Sequence, residues 1–194
     1  MKKLLLILLC LPMIGYGQGW ENYYVADTTN FVIGSISTTG NTQQTSDGGY
    51  IACGTILNSN YIDTDVMLIK TNSQGDTIWQ KRFNNYLDSR DAPSDVQQTS
   101  DGGYIVCGRT RIDTASFPRN DIYIIKTDSN GDLQWTRTIG DTLNSAEVGS
   151  SIKQTSDGGY IIAGYIAPSH LNYSNPYLVK VNNIGVVQWQ KAYG

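Results

Sequence analysis

One block of sequence occurs three times in this chain and constrains its fold more than any other feature. The block reads Gln-Thr-Ser-Asp-Gly-Gly-Tyr-Ile at 44–51, 98–105 and 154–161, so that successive copies start 54 and then 56 residues apart. A tryptophan follows each copy at an equivalent place, as Trp79, Trp135 and Trp189. Self-similarity at such a period is typical of units that stack on one another to bury their apolar faces.

The second copy shows what one unit folds into. Its Ser-Asp-Gly-Gly and Asn-Gly segments supply the positive φ angles of tight hairpin turns. The segment before the second turn is rich in β-branched residues, and the one after it alternates apolar and polar residues, as a half-exposed outer strand does. No stretch has a helical period. The predicted strands are 96–99, 104–110, 121–127 and 133–139.

Four antiparallel strands per unit of about 55 residues are typical of a β-propeller blade. A right-handed β-solenoid is the alternative, although its coils are usually shorter. We therefore predict an all-β chain with four-stranded antiparallel blades, in which Trp135 is buried between neighbouring sheets. The predicted divisions are a signal peptide at 1–17, a lone outer strand and connection at 18–39, and blades at 40–88, 89–141 and 142–194.

The run Ile-Ile-Lys-Thr-Asp-Ser-Asn-Gly-Asp-Leu-Gln-Trp at 124–135 resembles the strand-turn-strand of quinoprotein-type propeller blades. That resemblance implies a tryptophan docked between blades, although Asp128 and Gly131 lie one residue closer together than in the family pattern. The pairing of Ser-Asp-Gly-Gly-Tyr-Ile with Asn-Gly-x-x-x-Trp is similar to repeats in bacterial surface proteins exported by type IX secretion. That second resemblance covers about residues 40–194.

The first residues predict export. Lys2 and Lys3 precede an apolar run at 4–14, and small residues at Gly15 and Gly17 suit cleavage before Gln18. The run is shorter than the roughly 20 residues that cross a bilayer, so we expect a secreted or cell-surface protein without a membrane span. A net charge of −3 without a basic run argues against nucleic acid as a partner.

The number of blades is too small for a closed ring. Trp20 lies in the register of a fourth strand, but one strand and three blades fall short of the four to eight blades that closure needs. We expect the remaining blades to come from a longer chain or from another subunit.

The connections opposite the tight turns differ between units, and binding residues tend to lie on such loops. They carry aromatic, basic and amide side chains of the kind found at contact surfaces. We therefore predict a non-catalytic scaffold for binding or adhesion, whose partner is an extracellular protein or glycan. The candidate binding residues are Tyr61, Arg109, Arg111, Phe117, Arg119, His170, Asn172 and Tyr173.

Catalysis has less support. The chain has one histidine, His170, and no cluster typical of a metal site, so no catalytic residue, cofactor or metal ligand is predicted. Cys53 and Cys107 occupy the same repeat position and are expected to be buried free thiols. The alternative function is part of a secreted carbohydrate-active hydrolase or lyase with paired carboxylates. Its candidates are Asp63, Asp65, Asp88, Asp91, Asp113 and Asp121.

Overall fold

The computed structural model describes residues 41–57, 63–85, 89–112, 119–140, 145–168 and 173–194. Every regular element in these ranges is a β-strand, and no helix there is long and apolar enough to cross a bilayer. The strands are β1 Thr42–Gln44, β2 Tyr50–Leu57, β3 Thr64–Thr71, β4 Thr77–Phe83, β5 Ala92–Gln98, β6 Tyr104–Ile112, β7 Arg119–Thr127, β8 Leu133–Ile139, β9 Ser145–Gln154, β10 Tyr160–Pro168, β11 Asn175–Val181 and β12 Val187–Ala192.

Each group of four consecutive strands forms one antiparallel sheet in which neighbours in sequence are neighbours in space. The three sheets, β1–β4, β5–β8 and β9–β12, pack against one another as successive blades of a propeller arc. The predicted all-β fold with four-stranded blades is therefore confirmed. The predicted strand around Trp20 lies outside the described residues, and the boundaries between units remain predictions.

In the second sheet, β8 has its predicted bounds, whereas β5 and β7 begin earlier and β6 ends later than predicted. β5 begins at Ala92 instead of 96, since Ala92 and Pro93 pair with Arg109 and Gly108. Proline made this segment a poor candidate for a strand, but β5 lies at the edge of its sheet, where the missing N–H is tolerated.

The first hairpin of each sheet turns on the Asp-Gly-Gly segment. Gly102 has φ of 80°, in the left-handed region that glycine favours, and the next residue, Gly103, has a different constraint. A side chain on Gly103 would lie 2.2 Å from the Thr127 carbonyl oxygen and 2.7 Å from the Lys126 ammonium. The second glycine is therefore needed because β7 passes directly against it.

The close approach of β7 to Gly103 lies beside a buried lysine. Lys126 Nζ is 2.9 Å from the Asp101 carboxylate, 2.8 Å from the Thr127 carbonyl and 3.1 Å from Gln134 Oε1, and the lysine side chain is 3% exposed. All three ammonium protons thus have acceptors on the two hairpins of one sheet. Lys70 with Asp47 and Lys180 with Asp157 repeat the ion pair.

Neighbouring sheets meet through the repeated tryptophans. The Trp79 ring packs edge-on against Tyr104 of the second sheet, with centroids 5.6 Å apart, and Trp135 packs in the same way against Tyr160 at 6.0 Å. Both indoles are half-buried, so Trp135 is less buried than predicted. Each indole packs between two sheets as expected, but part of its surface stays accessible.

Two apolar clusters fill the spaces between the sheets. One joins the first and second sheets and includes Ile51, Leu68 and Tyr104; the other joins the second and third. Cys53 and Cys107 lie in these clusters as free, buried thiols, which confirms their prediction. Burial raises the pKa of Cys53 to about 11, so this thiol stays protonated and unreactive at neutral pH.

A carboxylate links the innermost strands of all three sheets. Asp95 Oδ1 accepts a hydrogen bond of 2.8 Å from Asn41 of the first sheet, and Asp95 Oδ2 accepts bonds of 2.9 Å from Ser151 Oγ and Ile152 N of the third. Asn41, Asp95 and Ser151 occupy equivalent positions of the repeat. The inner strands are therefore joined by polar contacts where the outer strands are joined by indoles.

Substitution of two glycines should separate turn strain from packing between sheets. Gly131 and Gly158 have φ of 77° and 79°, so alanine at either incurs a similar left-handed cost of about 1–2 kcal/mol. Only at Gly131 would the new carbon lie 2.9 Å from the Trp79 ring, whereas nothing lies within 4 Å at Gly158. Gly131→Ala should therefore lower the free energy of unfolding by about 1–3 kcal/mol more than Gly158→Ala, measured by urea titration. Equal losses would show that the indole is not packed on this turn.

The lysine–aspartate pairs predict how stability responds to acid. Partial burial raises the pKa of Asp101, but hydrogen bonds from Thr99, the Lys126 ammonium and the Gly103 amide outweigh it and lower that pKa to about 2. The ionised carboxylate therefore stabilises the fold above its ordinary pKa of about 3.9, and this contribution disappears as the pH falls towards 2. The difference in unfolding free energy between the parent chain and Asp101→Asn should shrink over that range in urea titrations at several pH values. A difference that does not change with pH would contradict this origin.

Candidate functional site

The two ends of the strands in each sheet differ in character. The tight turns between the first and second strands and between the third and fourth lie at one end, and the longer connections lie at the other. We call the second end the loop face; it holds the connections β2–β3, β4–β5, β6–β7, β8–β9 and β10–β11. The sequence predicted this face as the binding surface.

A pocket of about 370 Å³ opens on the loop face where the first and second sheets meet. Three arginines contribute to its wall, and Ala92 is the one apolar residue among the described residues that line it. No carboxylate is among those lining residues. The lining residues are Thr55, Thr64, Arg90, Ala92, Arg109, Arg111 and Asn120.

The segment 89–91 brings the two sheets together at this pocket. Arg90 N donates to the Arg111 carbonyl at 2.8 Å, and Arg111 N donates to the Arg90 carbonyl at 3.1 Å. On the other side, Asp91 N donates to the Thr64 carbonyl at 2.7 Å, and Thr64 and Arg90 form a parallel bridge. Backbone hydrogen bonds to both sheets therefore fix the position of the Arg90 backbone, from which its side chain extends.

Three aspartates lie buried at the same end of the first two sheets. Asp63 is 3% exposed, and Asp65 and Asp91 are fully enclosed. Burial raises the pKa of Asp65, against the opposing effect of its ion pair with Arg82. Burial likewise raises the pKa of Asp91, although Thr110, the Asn85 amide and Ser89 donate hydrogen bonds to it.

Comparison of equivalent repeat positions distinguishes a buried carboxylate, which recurs in the third sheet, from the arginines, which do not. Asp91 corresponds to Glu147 of the third sheet, which is also buried and accepts a 2.5 Å hydrogen bond from Ser145, the counterpart of Ser89. The arginines have no such counterparts. Arg90, Arg109 and Arg111 correspond to Ala146, Tyr165 and Ala167.

The structure brings together two of the eight predicted binding residues. Arg109 is exposed, Arg111 is half-buried, and both line the pocket. Tyr173 is 59% exposed but does not line it. The backbone of Arg119 pairs with Ile112 at the start of β7, and its side chain is outside the description. Tyr61, Phe117, His170 and Asn172 lie outside the described residues.

Sequence reasoning did not identify Arg90, Asn120, Thr55 and Thr64 as pocket residues. The available signal was the change from Arg90 to Ala146 between equivalent units, within a Ser-x-Asp or Ser-x-Glu segment that both units keep.

The other aspartates of the hydrolase alternative do not complete a site. Asp88 and Asp113 lie outside the described residues, and Asp121 is half-buried against Gly140. In the turn at 128–132, Asp128 Oδ1 accepts hydrogen bonds of 2.8 Å from the amides of Asn130 and Asp132, as a turn-capping side chain does. Within the described ranges, no group of three or more His, Cys, Asp or Glu residues is arranged to hold a metal ion.

Comparison with known proteins gives little beyond this geometry. No family model matches the chain, and no curated protein matches it. The solved structure of the β-1,2-mannobiose phosphorylase from Listeria innocua in complex with β-1,2-mannobiose is similar to 78% of this chain, with a TM-score of 0.46 and 16% sequence identity. The match spans 42% of the phosphorylase, and so loose a similarity carries no information on activity.

Proposed function

We propose that this chain is an exported, non-catalytic β-propeller scaffold that binds an extracellular glycan through its loop face. The observation that carries the proposal is the arginine-lined pocket between the first and second sheets. Export is proposed from the signal-like residues 1–17 and from the resemblance to type IX secretion repeats.

The pocket chemistry indicates the class of ligand. A guanidinium group offers paired N–H donors whose geometry matches a carboxylate or sulfate. Thr55, Thr64 and Asn120 add neutral donors and acceptors of the kind that sugar hydroxyls need. A volume of about 370 Å³ is at the small end of the range for ligand sites, which suits one or two sugar units. The ligand class is therefore an acidic sugar, such as a uronate or a sulfated residue.

The distribution of these residues over the repeat supports binding over a structural role. Features that hold each sheet together recur in every unit, as the lysine pairs and the turn glycines do. The three arginines occur at one junction between sheets and are replaced by alanine or tyrosine at the next. Because the fold does not require arginine at these positions, we infer that the three arginines serve ligand binding.

Binding is tested on an array that carries acidic and neutral glycans together with acidic peptides. We expect retention on acidic glycans that weakens as salt is raised, because exposed charges are screened. Arg109→Gln removes an exposed pocket cation and should weaken binding by about 10–100-fold, since a hydrogen bond to a charged group contributes roughly 1.5–3 kcal/mol. Lys153→Gln removes an exposed charge from β9 and serves as the matched control.

Three outcomes would contradict parts of this proposal. Equal binding by Arg109→Gln and the parent chain would place the ligand elsewhere. Retention on acidic peptides alone would identify a protein partner. Absence of binding together with cleavage of glycans in a turnover assay would favour the hydrolase or lyase alternative.

One observation bears on that alternative. The raised pKa values of Asp65 and Asp91 are a property that general acids share. Both side chains are enclosed, however, and neither lines the pocket, so they do not reach a substrate bound there.

A further inference from the structure

Thr110 lies between two of the pocket arginines but does not itself line the pocket. It stands in β6 between Arg109 and Arg111, and it is 1% exposed. Because successive side chains of a strand point to opposite faces, the Thr110 side chain points away from the two arginines. Its influence on the pocket is therefore exerted through the backbone that the three residues share.

The Thr110 hydroxyl lies at the centre of a buried polar network. It donates a hydrogen bond to the Asp91 carboxylate and accepts one of 3.2 Å from the Asn85 side chain. The same carboxylate accepts a bond of 2.7 Å from the Asn85 backbone amide and another from Ser89. Through one hydroxyl, β6 is therefore joined to the connection that leads from β4 into β5.

The backbone around this network includes all three arginines of the pocket. Arg90 precedes Asp91 in the chain, and its backbone exchanges hydrogen bonds of 2.8 Å and 3.1 Å with Arg111. Ala92, which follows Asp91, pairs with Arg109. The residues on both sides of the carboxylate are thus paired with the residues on both sides of the hydroxyl, and the side-chain bond lies between these two pairings.

The hydroxyl is specific to the sheet that carries the arginines. Ile56 and Ile166 occupy the position of Thr110 in the first and third sheets. An apolar β-branched side chain is therefore compatible with the fold at this position. The buried carboxylate, in contrast, recurs in the third sheet as Glu147, so it is the hydroxyl that changes together with the arginines.

We propose that Thr110 is a positioning residue of the pocket, which through Asp91 fixes the relative placement of the three pocket arginines. Three guanidinium groups repel one another, and their long side chains lose rotamer freedom when a ligand immobilises them. A backbone that is already fixed limits this cost, because ligand sites gain affinity from preorganisation. The inference rests on the proposed binding function.

Thr110→Val tests the inference because it removes the hydroxyl and keeps the shape of the side chain. Binding of a uronic-acid disaccharide, measured by calorimetry at low salt, should weaken about tenfold, the effect expected when one hydrogen bond to a charged group is lost. Thr110→Ser keeps the hydroxyl and should bind within about threefold of the parent chain.

Thr127→Val is the matched control at the other end of the same sheet. Thr127 is fully buried, its hydroxyl donates to the Asp128 carbonyl at 3.0 Å, and Val181 occupies its position in the third sheet. Each valine variant thus removes one buried hydroxyl where the fold accepts an apolar residue. Thr127→Val should keep the parent affinity, whereas equal weakening in both variants would overturn the inference by showing a general loss of stability.

Amide hydrogen exchange tests the positioning without a ligand. The amides of Arg90 and Arg111 donate to each other's carbonyls, so Thr110→Val should speed their exchange by about tenfold or more relative to Thr127→Val. Unchanged exchange at both amides would overturn the inference, whether or not a glycan binds.

The variants also separate failure of this inference from failure of the proposed function. If Arg109→Gln weakens binding of the disaccharide and Thr110→Val does not, the inference is overturned and the proposed function stands. If Arg109→Gln leaves binding unchanged, the proposed function fails, and the exchange rates still test the positioning.

Discussion

The ion pair of the repeated lysine, which joins the two hairpins of each sheet, is the interaction on which the rest of the arc depends. An ammonium removed from water is costly unless each of its protons has an acceptor. Lys126 meets that condition with a carboxylate, a backbone carbonyl and a side-chain amide oxygen, contributed by both hairpins. Because the acceptors come from both turns, the first hairpin cannot slide against the second without exposing an unsatisfied charge.

That constraint extends from one sheet to the next through the strand register. Lys126 and Trp135 are direct cross-strand partners, so fixing the lysine fixes the indole beside it. The indole then lies on Gly185 and against Tyr160 of the third sheet. Lys70 and Trp79 repeat the relation with Gly131 and Tyr104. The recurring Asp-Gly-Gly-Tyr, Lys and Trp are therefore parts of one mechanism that sets strand register and the spacing between sheets.

This mechanism explains which parts of the structure could be predicted. Turn positions and strand pairing follow from local chemistry, because Asp-Gly-Gly and Asn-Gly permit few backbone paths, and the structure confirms the four-stranded blades. The buried lysine was visible only as a recurring residue, since its partners lie 25 and 8 residues away. The pocket could not be predicted, because Arg90 reaches Arg111 only after segment 89–91 has paired with both sheets. Such pairing depends on how sheets pack, which neither the turns nor the strand periodicity indicates.

The same distinction between recurring and unit-specific residues bears on the role of the buried carboxylates. A catalytic carboxylate must reach its substrate and has no reason to recur in a sheet that lacks the pocket. Asp91 fails both conditions, because it is enclosed and because Glu147 holds the same place, with the same serine beside it, in the third sheet. Its bonds to the Asn85 amide, Ser89 and Thr110 hold the connection between β4 and β5 on the second sheet. The carboxylates therefore shape the loop face from beneath, and Arg90, Arg109 and Arg111 line the pocket at its surface.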